Sequence, residues 1–376
     1  MSGIEVTPVT SDADKKLFLR LPERLYAGNP NWVCPLRIER RDFFDPAKNP
    51  FFDNADAQLF IARRDGRCVG RITAHVYRNH NQTHNERTGF FGFFECEQDY
   101  AIAEALYQEA AAYLKERGMD RMRGPANFTT NHEIAFLTEG FDSPPWVMMT
   151  YNPPYYLEFA ERYGLTKAMD FNAYYIDKTM QIPDRIVRLI ERIRKRTGAT
   201  IRTLDMSRFD DEVRLVKSIY DRAWAPNWGF VPMTNAEFFQ MAKDLKRIVD
   251  PKMVFFAEVD GETVGFSLAL PDINQALIRM NGRLFPFGLA KLLWLTKVRK
   301  VVTQVRMLVM GILPDYQKRG IDNLLHYETY TKGVAAGYNA AEMSWILETN
   351  DMMNGVAHNL GGKLYKKYRM YEVTLR

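Results

Sequence analysis

The chain has 376 residues, 46% hydrophobic and 26% charged, with a formal net charge of +5. That length suits two globular domains with a core each. Three cysteines, Cys34, Cys68 and Cys96, have neither paired nor metal-ligand spacing and read as reduced thiols in a cytosolic protein. No run of about 18 apolar residues is available to span a bilayer.

The N-terminal MSGIEVTPVTSDADKK lacks a basic start and an apolar core, so no signal peptide is expected. The first clear element is LFIARRDGRCVGRI, residues 59–72, read as strand, Asp-Gly turn, strand. Asp-Gly favours a type I′ hairpin because both turn residues take positive φ. TGFFGFFEC then reads as a strand, and DYAIAEALYQEAAAYLKERG as a helix with Ile102, Leu106, Ala110 and Leu114 on one stripe. MDRMRGPANF follows as a further strand. PDRIVRLIERIRKRTG, residues 183–198, is a basic amphipathic helix.

VFFAEVDGETVGFS, residues 254–267, then repeats the first hairpin without gaps. Two such hairpins with shared flanks point to a duplicated unit. VRMLVMGIL is the next strand, 320–336 a helix, and AAEMSWILE a strand. A short helix capped by Thr349 or Asn350 and a closing strand, YKKYRMYEVTL, end the chain. The reading is an α/β fold: two tandem units, 1–180 and 181–376, each a mixed, mostly antiparallel sheet flanked by helices.

Charge is unevenly spread. From Asp272 to Asp315 there is no acid between, but there are Arg279, Arg283, Lys291, Lys297, Arg299, Lys300 and Arg306. This window holds FPFGLAKLLWLTKVRKVV. A basic, aromatic, leucine-rich stretch at 283–302 suits either a core helix with a solvated face or contact with an anionic membrane surface.

The turn GILPDYQKRGID separates strand from helix with Gln317, Lys318, Arg319, Gly320, Ile321 and Asp322. Amides at a helix start attract phosphate oxygens, and Gly320 lets a ligand approach the backbone. Strand, Gln-x-x-Gly turn, helix and a strand ending in Glu348-Thr349-Asn350 resemble the coenzyme-A-binding core of the GNAT (GCN5-related) acyltransferases. That family's turn ends in Gly or Ala where this chain has Asp322, whose carboxylate is expected to point away and favour the helix start. The first half has ECEQDYAIAE at the equivalent place, so it resembles a GNAT unit without a phosphate site. FFGFFE, GPANFTTNHE, AWAPNWGFVPMT and EMSWILETN together resemble a bacterial tandem-GNAT group that includes the ceramide synthases, which acylate the amine of a sphingoid base.

The resemblance implies an acyl-CoA donor, a lipid-like amine acceptor, no metal and no nucleic-acid partner. It implies a cytoplasmic protein, peripheral on the inner membrane. By that resemblance the backbone at Val309, Met310, Gly311 and Ile312 would face the pantetheine arm, with Asn350 beside it. Glu348 is the expected base. The tyrosine acid usual in GNAT enzymes falls on Ala357, leaving Tyr365 or Tyr368 as substitutes. Tyr220, Trp224, Asn227 and Trp228 would line the acceptor site. Met307, Met310, Met343, Met352 and Met353 suit a core or an alkyl tunnel. The alternatives are an aminoacyl-tRNA-dependent peptidoglycan transferase, with ERIRKR as its short basic arm, and a non-catalytic lipid- or partner-binding protein.

Overall fold

The computed structural model describes residues 3–179 and 182–375. In chain order its elements begin with β1 (Ile4–Pro8), α1 (Asp12–Leu25), α2 (Arg37–Phe43), β2 (Ala55–Arg64), β3 (Arg67–Tyr77), α3 (Arg78–His84) and β4 (Thr88–Cys96). Next come α4 (Tyr100–Glu116), β5 (Arg121–Gly124), β6 (Phe136–Glu139), α5 (Tyr155–Tyr163), β7 (Thr166–Asp177), α6 (Asp184–Thr197), β8 (Thr200–Thr203), α7 (Phe209–Trp224) and α8 (Asn235–Leu245). The chain closes with β9 (Val254–Val259), β10 (Glu262–Pro271), α9 (Asn274–Leu277), α10 (Gly288–Leu293), β11 (Gln304–Ile312), α11 (Ile321–Ala335), β12 (Ala340–Leu347), α12 (Asp351–Asn359) and β13 (Lys363–Thr374).

Two compact units result. The first takes Met1–Asp170, Ala276–Trp294 and Lys366–Arg376, the second Phe171–Gln275 and Leu295–Tyr365. Set beside the division expected at 180/181, three segments change sides, and pairing accounts for two of them. The end of β13 pairs with β5 and β6 in the first unit, whereas residues 171–177 of β7 pair with β12 in the second. Each unit therefore borrows its last strand from the other half of the sequence.

The duplication is real in backbone terms. The first unit runs β1-β2-β3-β4-β5-β13 and the second β8-β9-β10-β11-β12-β7. Among the described pairings within each unit one is parallel, β4 with β5 in the first and β11 with β12 in the second. The Asp-Gly hairpins match the expected turn: φ is 49° at Asp65 and 76° at Gly66, 51° at Asp260 and 83° at Gly261.

In the first unit, α4 buries Ile102, Leu106, Ala110 and Leu114 against Phe60, Val69 and Ile72. Elsewhere in that unit aromatic rings gather, with Phe51 and Phe128 stacked 4.3 Å apart and Phe44 4.5 Å from Phe93. In the second unit the period-two alternation of β9 sorts side chains to two faces. Phe255 and Ala257 meet Ile321, Leu324 and Leu325 of α11 and Ile190 and Ile193 of α6. Val254 and Phe256 meet Ile219 and Tyr220 of α7.

Candidate functional site

The parallel pairing of β11 with β12 runs from Gln304/Ala340 to Met307/Met343 and then stops. At that point the β10–β11 register slips between Leu268 and Ala269, so Leu308 is an extra residue. A bulge bends its strand. Here it coincides with the parting of β11 from β12, and the rest of β11 stays with β10 alone.

Antiparallel pairing turns alternate residues' peptide groups away from the partner strand. Leu313 N–H donates to Val264 O at 2.9 Å, which fixes the phase. Gly311 and Val309 therefore face β10, and Met310 and Ile312 face the opening. The Met310 carbonyl accepts the Trp224 Nε1–H at 2.8 Å, and the Ile312 carbonyl accepts Gln317 Nε2–H at 3.1 Å. Their N–H groups point the same way, away from β10.

The turn beyond β11 leaves further donors. Lys318 and Gly320 both take left-handed backbone, φ 60° and 89°. Gly320 caps α11 with no side chain accepting its first amides. Among the described residues, no hydrogen bond engages the N–H of Lys318, Arg319, Gly320, Ile321 or Asp322. Lys318, Gly320 and Asp322 border an open cleft of about 570 Å³ that Leu189, Arg192, Ile193, Arg196 and Asn323 also line. Arg196 also donates to Arg319 O at 2.7 Å, tying α6 to the turn. Two arginines, a lysine and a fan of amides suit a diphosphate. Asp322, in the first turn of α11, lines the same cleft, so one carboxylate stands among three kinds of donor.

The first unit shares the parting of its parallel strands but, among the described residues, not the open donors. Its β4–β5 pairing also ends early, at Phe90/Arg123. The opening is filled by its own chain: Ala126 N–H donates to Phe91 O and Phe93 N–H to Asn127 Oδ1, both at 2.8 Å. A Cβ on Gly92 would lie 1.9 Å from Ala126 O, so only glycine admits this loop. At the start of α4, Asp99 caps Ala101 N–H at 3.0 Å and pairs with Arg64 at 2.6 Å.

The other expected site residues take distinct positions. Glu348 lies in the turn between β12 and α12, half-buried. Asn350 caps α12, its side chain accepting Met353 N–H at 3.1 Å. Gly311 makes room for α7: an added Cβ would come within 2.9 Å of Phe266 and 3.3 Å of Ala223. Tyr220 is a core residue against Trp224 and Phe230, and burial pushes its phenol well up. Asn227 shapes the turn after α7, accepting Phe230 N–H at 3.1 Å. Trp228 packs 6.1 Å from Phe171. Ile321 is fully buried and offers only its amide, while the Arg319 guanidinium lies 4.9 Å over the Tyr316 ring. Tyr368 belongs to the first unit, fully buried and paired with Leu137. Met307, Met343, Met310 and Met353 share one cluster with Tyr174 and Ile346, whereas Met352 is exposed.

A polar group not foreseen sits where β11 and β12 part. Arg306, Glu342 and Ser344 are all buried. Arg306 Nε donates to Ser344 Oγ at 2.9 Å, Ser344 Oγ–H to Glu342 Oε1 at 2.6 Å, and Tyr365 OH to Glu342 Oε2. The guanidinium lies 5.2 Å over the Trp345 ring. Arg306 and Glu342 occupy matched positions on the parallel strands, a pairing that neither strand marks by itself. Arg192 and Arg196 were also missed. Their separation of four residues, in step with Leu189 and Ile193, sets all four along one side of α6.

A strand that bulges away from its parallel neighbour and feeds a basic turn at a helix start, in a unit present twice, defines a tandem GNAT fold. Among solved structures, the tandem GNAT protein of the clavulanic acid biosynthesis pathway matches with a TM-score of 0.59 at 13% identity, covering 100% of this chain and 99% of its own. A GCN5-related N-acetyltransferase from Sphaerobacter thermophilus gives a TM-score of 0.52 at 12% identity over 99% and 96% of the two chains. No protein-family model matches.

Sequence comparison is sharper. The chain is 42% identical over 379 residues to the bacterial ceramide synthase of Caulobacter vibrioides, covering 100% of this chain and 98% of that one. It is 39% identical over 364 residues to Protein YghO of Escherichia coli, covering 96% and 92%. The chain belongs to the family of that bacterial ceramide synthase, acyltransferases on a tandem GNAT fold.

Proposed function

We propose that this protein transfers a long-chain acyl group from acyl-CoA to the amine of a lipid-like acceptor such as a sphingoid base. The observation that carries the reading is the run of amides at residues 318–322, without acceptors among the described residues, directly downstream of the strand that parts at Leu308. Lys318, Arg192 and Arg196 would hold the donor's phosphates. Met310 and Ile312 would present their N–H groups to its pantetheine arm and thioester.

The chemistry then needs a neutral amine, a polarised carbonyl and alignment. Glu348 is the group proposed to take the ammonium proton. The freed amine attacks the thioester carbon, forming C–N. A backbone N–H of β11 stabilises the oxyanion. The C–S bond breaks, the thiolate leaves with the proton that the attacking nitrogen gives up, and an amide remains. Tyr365 has its hydroxyl hydrogen committed to Glu342, so it serves as a positioning residue here and not as the acid. Thiolate departure does not require one. Donor and acceptor are both lipids, which suits a cytoplasmic protein at the inner membrane surface. Among the described residues no helix is long and apolar enough to cross a membrane.

The test is release of free thiol when purified protein meets a panel of acyl-CoAs and amine acceptors. Long-chain donors with sphingoid bases should be turned over best. Arg192→Ala combined with Arg196→Ala should raise the KM for acyl-CoA about tenfold and flatten its salt dependence, with kcat little changed. Turnover with no dependence on acyl-CoA would overturn the reading.

A further inference from the structure

Phe285, Phe287, Leu289, Leu293 and Trp294 leave 67%, 82%, 45%, 51% and 48% of their surfaces exposed. Isolated apolar residues on a surface are ordinary, but five within one short segment are not. The cations Arg279, Arg283 and Lys291 of the same segment are exposed as well. No carboxylate lies between Asp272 and Asp315 to offset them.

The segment is held in place by the first unit. Gly282 has φ 69°, and a Cβ there would lie 2.7 Å from both Cys34 Sγ and Pro35 O. Gly282 O accepts Arg37 N–H at 3.0 Å. A Cβ on Gly288 would come within 2.1 Å of Arg283 O, and Leu289 N–H donates to Leu284 O at 2.7 Å. Two glycines and these bonds hold a fixed turn whose apolar side chains are already presented outward. Such a presentation costs little ordering on binding.

We propose that residues 283–294 are a preformed docking element that seats this chain on an anionic phospholipid bilayer. Phe285, Phe287, Leu293 and Trp294 enter the interfacial layer, and Arg283 and Lys291 meet lipid phosphates. Aromatic and leucine side chains mixed with cations, and free of carboxylates, fit a headgroup boundary. The choice of a bilayer over a protein face rests in part on the lipid substrates of the proposed reaction, and vesicle binding can be measured without that reaction.

Purified full-length protein is sedimented with vesicles of phosphatidylcholine alone and of an equal mixture with phosphatidylglycerol. The mixed vesicles should carry down the protein at least about tenfold more effectively. Phe285→Ser with Phe287→Ser should lower that partition about tenfold or more, and Lys291→Glu about fivefold. Both phenylalanines are largely in water, so the double variant should keep the wild-type Tm. It should also keep the wild-type rate of thiol release on a short-chain acyl-CoA and a water-soluble amine. Absence of vesicle binding, or binding unchanged in the double variant, overturns the proposal. So does concentration-dependent self-association without vesicle binding that the double variant abolishes. Vesicle binding with no acyl transfer would leave the docking element standing and remove the catalytic reading instead.

Discussion

Substituting Gly320 tests the phosphate turn most directly. Its φ is 89°, and an added Cβ would lie 2.8 Å from Ile193 Cδ1 and 3.1 Å from Ile193 Cγ1. Holding a non-glycine residue in the left-handed region costs about 1–2 kcal/mol. Displacing the buried Ile193 adds on the order of 1 kcal/mol. Gly320→Ala should therefore lose about 2–3 kcal/mol in total, and the chain has two ways to lose it. If the turn keeps its shape, folding stability falls by that amount. If the turn relaxes, the five amides swing away and CoA affinity falls, about 30-fold for 2 kcal/mol. Titration calorimetry with CoA and urea denaturation on the same variant should give losses that sum to the predicted figure. Gly320→Asn, which tolerates left-handed backbone better, should be milder. Adding Ile193→Ala to Gly320→Ala should remove the steric part of the interaction but not the backbone part, as read from the double-mutant cycle. A Gly320→Ala protein as stable as wild type, with CoA affinity within about twofold, would refute the reasoning.

Two further outcomes follow from other parts of the second unit and from buried histidines. Glu348→Gln should lower kcat with little change in CoA affinity or Tm, because Glu348 sits half-buried in a turn. Glu342→Gln should instead cost about 3–5 kcal/mol in denaturation, because it strips the counter-charge from a buried arginine. If the two variants behave alike, the separation of roles is wrong. Burial pushes His75, His80 and His326 down from the usual 6.5 to about 4. The native state keeps them neutral where the unfolded chain is already protonated, so stability is full above about pH 6.5 and drains as pH falls toward 4. Each can contribute up to about 1.4 kcal/mol per pH unit in that window. Urea denaturation at about pH 7.5 and 5.5 should show the drop, and His326→Asn should make it shallower. Equal stability at both pH values would rule this out.

What could be read in advance depended on whether the signal was local. The Asp-Gly pairs specify their own turn, so both hairpins and the duplication were legible from residues 59–72 and 254–267 alone. The helix start at Gly320 was legible for the same reason. The exchanged last strands were not, because β13 follows β12 as smoothly in sequence as β7 follows α5, and pairing partners far apart in the chain leave no mark in either strand. The same limit hid the Arg306–Glu342 pair, whose two members lie on separate strands and meet only through the register of β11 with β12. Asp322 is the instructive residue. Its place in the first turn of α11 suits the helix dipole, and it also lines the cleft with Lys318, Arg192 and Arg196. A carboxylate among cations lowers their net attraction for phosphate while leaving the five amides untouched. If the proposed role of the turn holds, grip would then come mainly from the backbone, and Asp322→Ala would tighten CoA binding rather than weaken it.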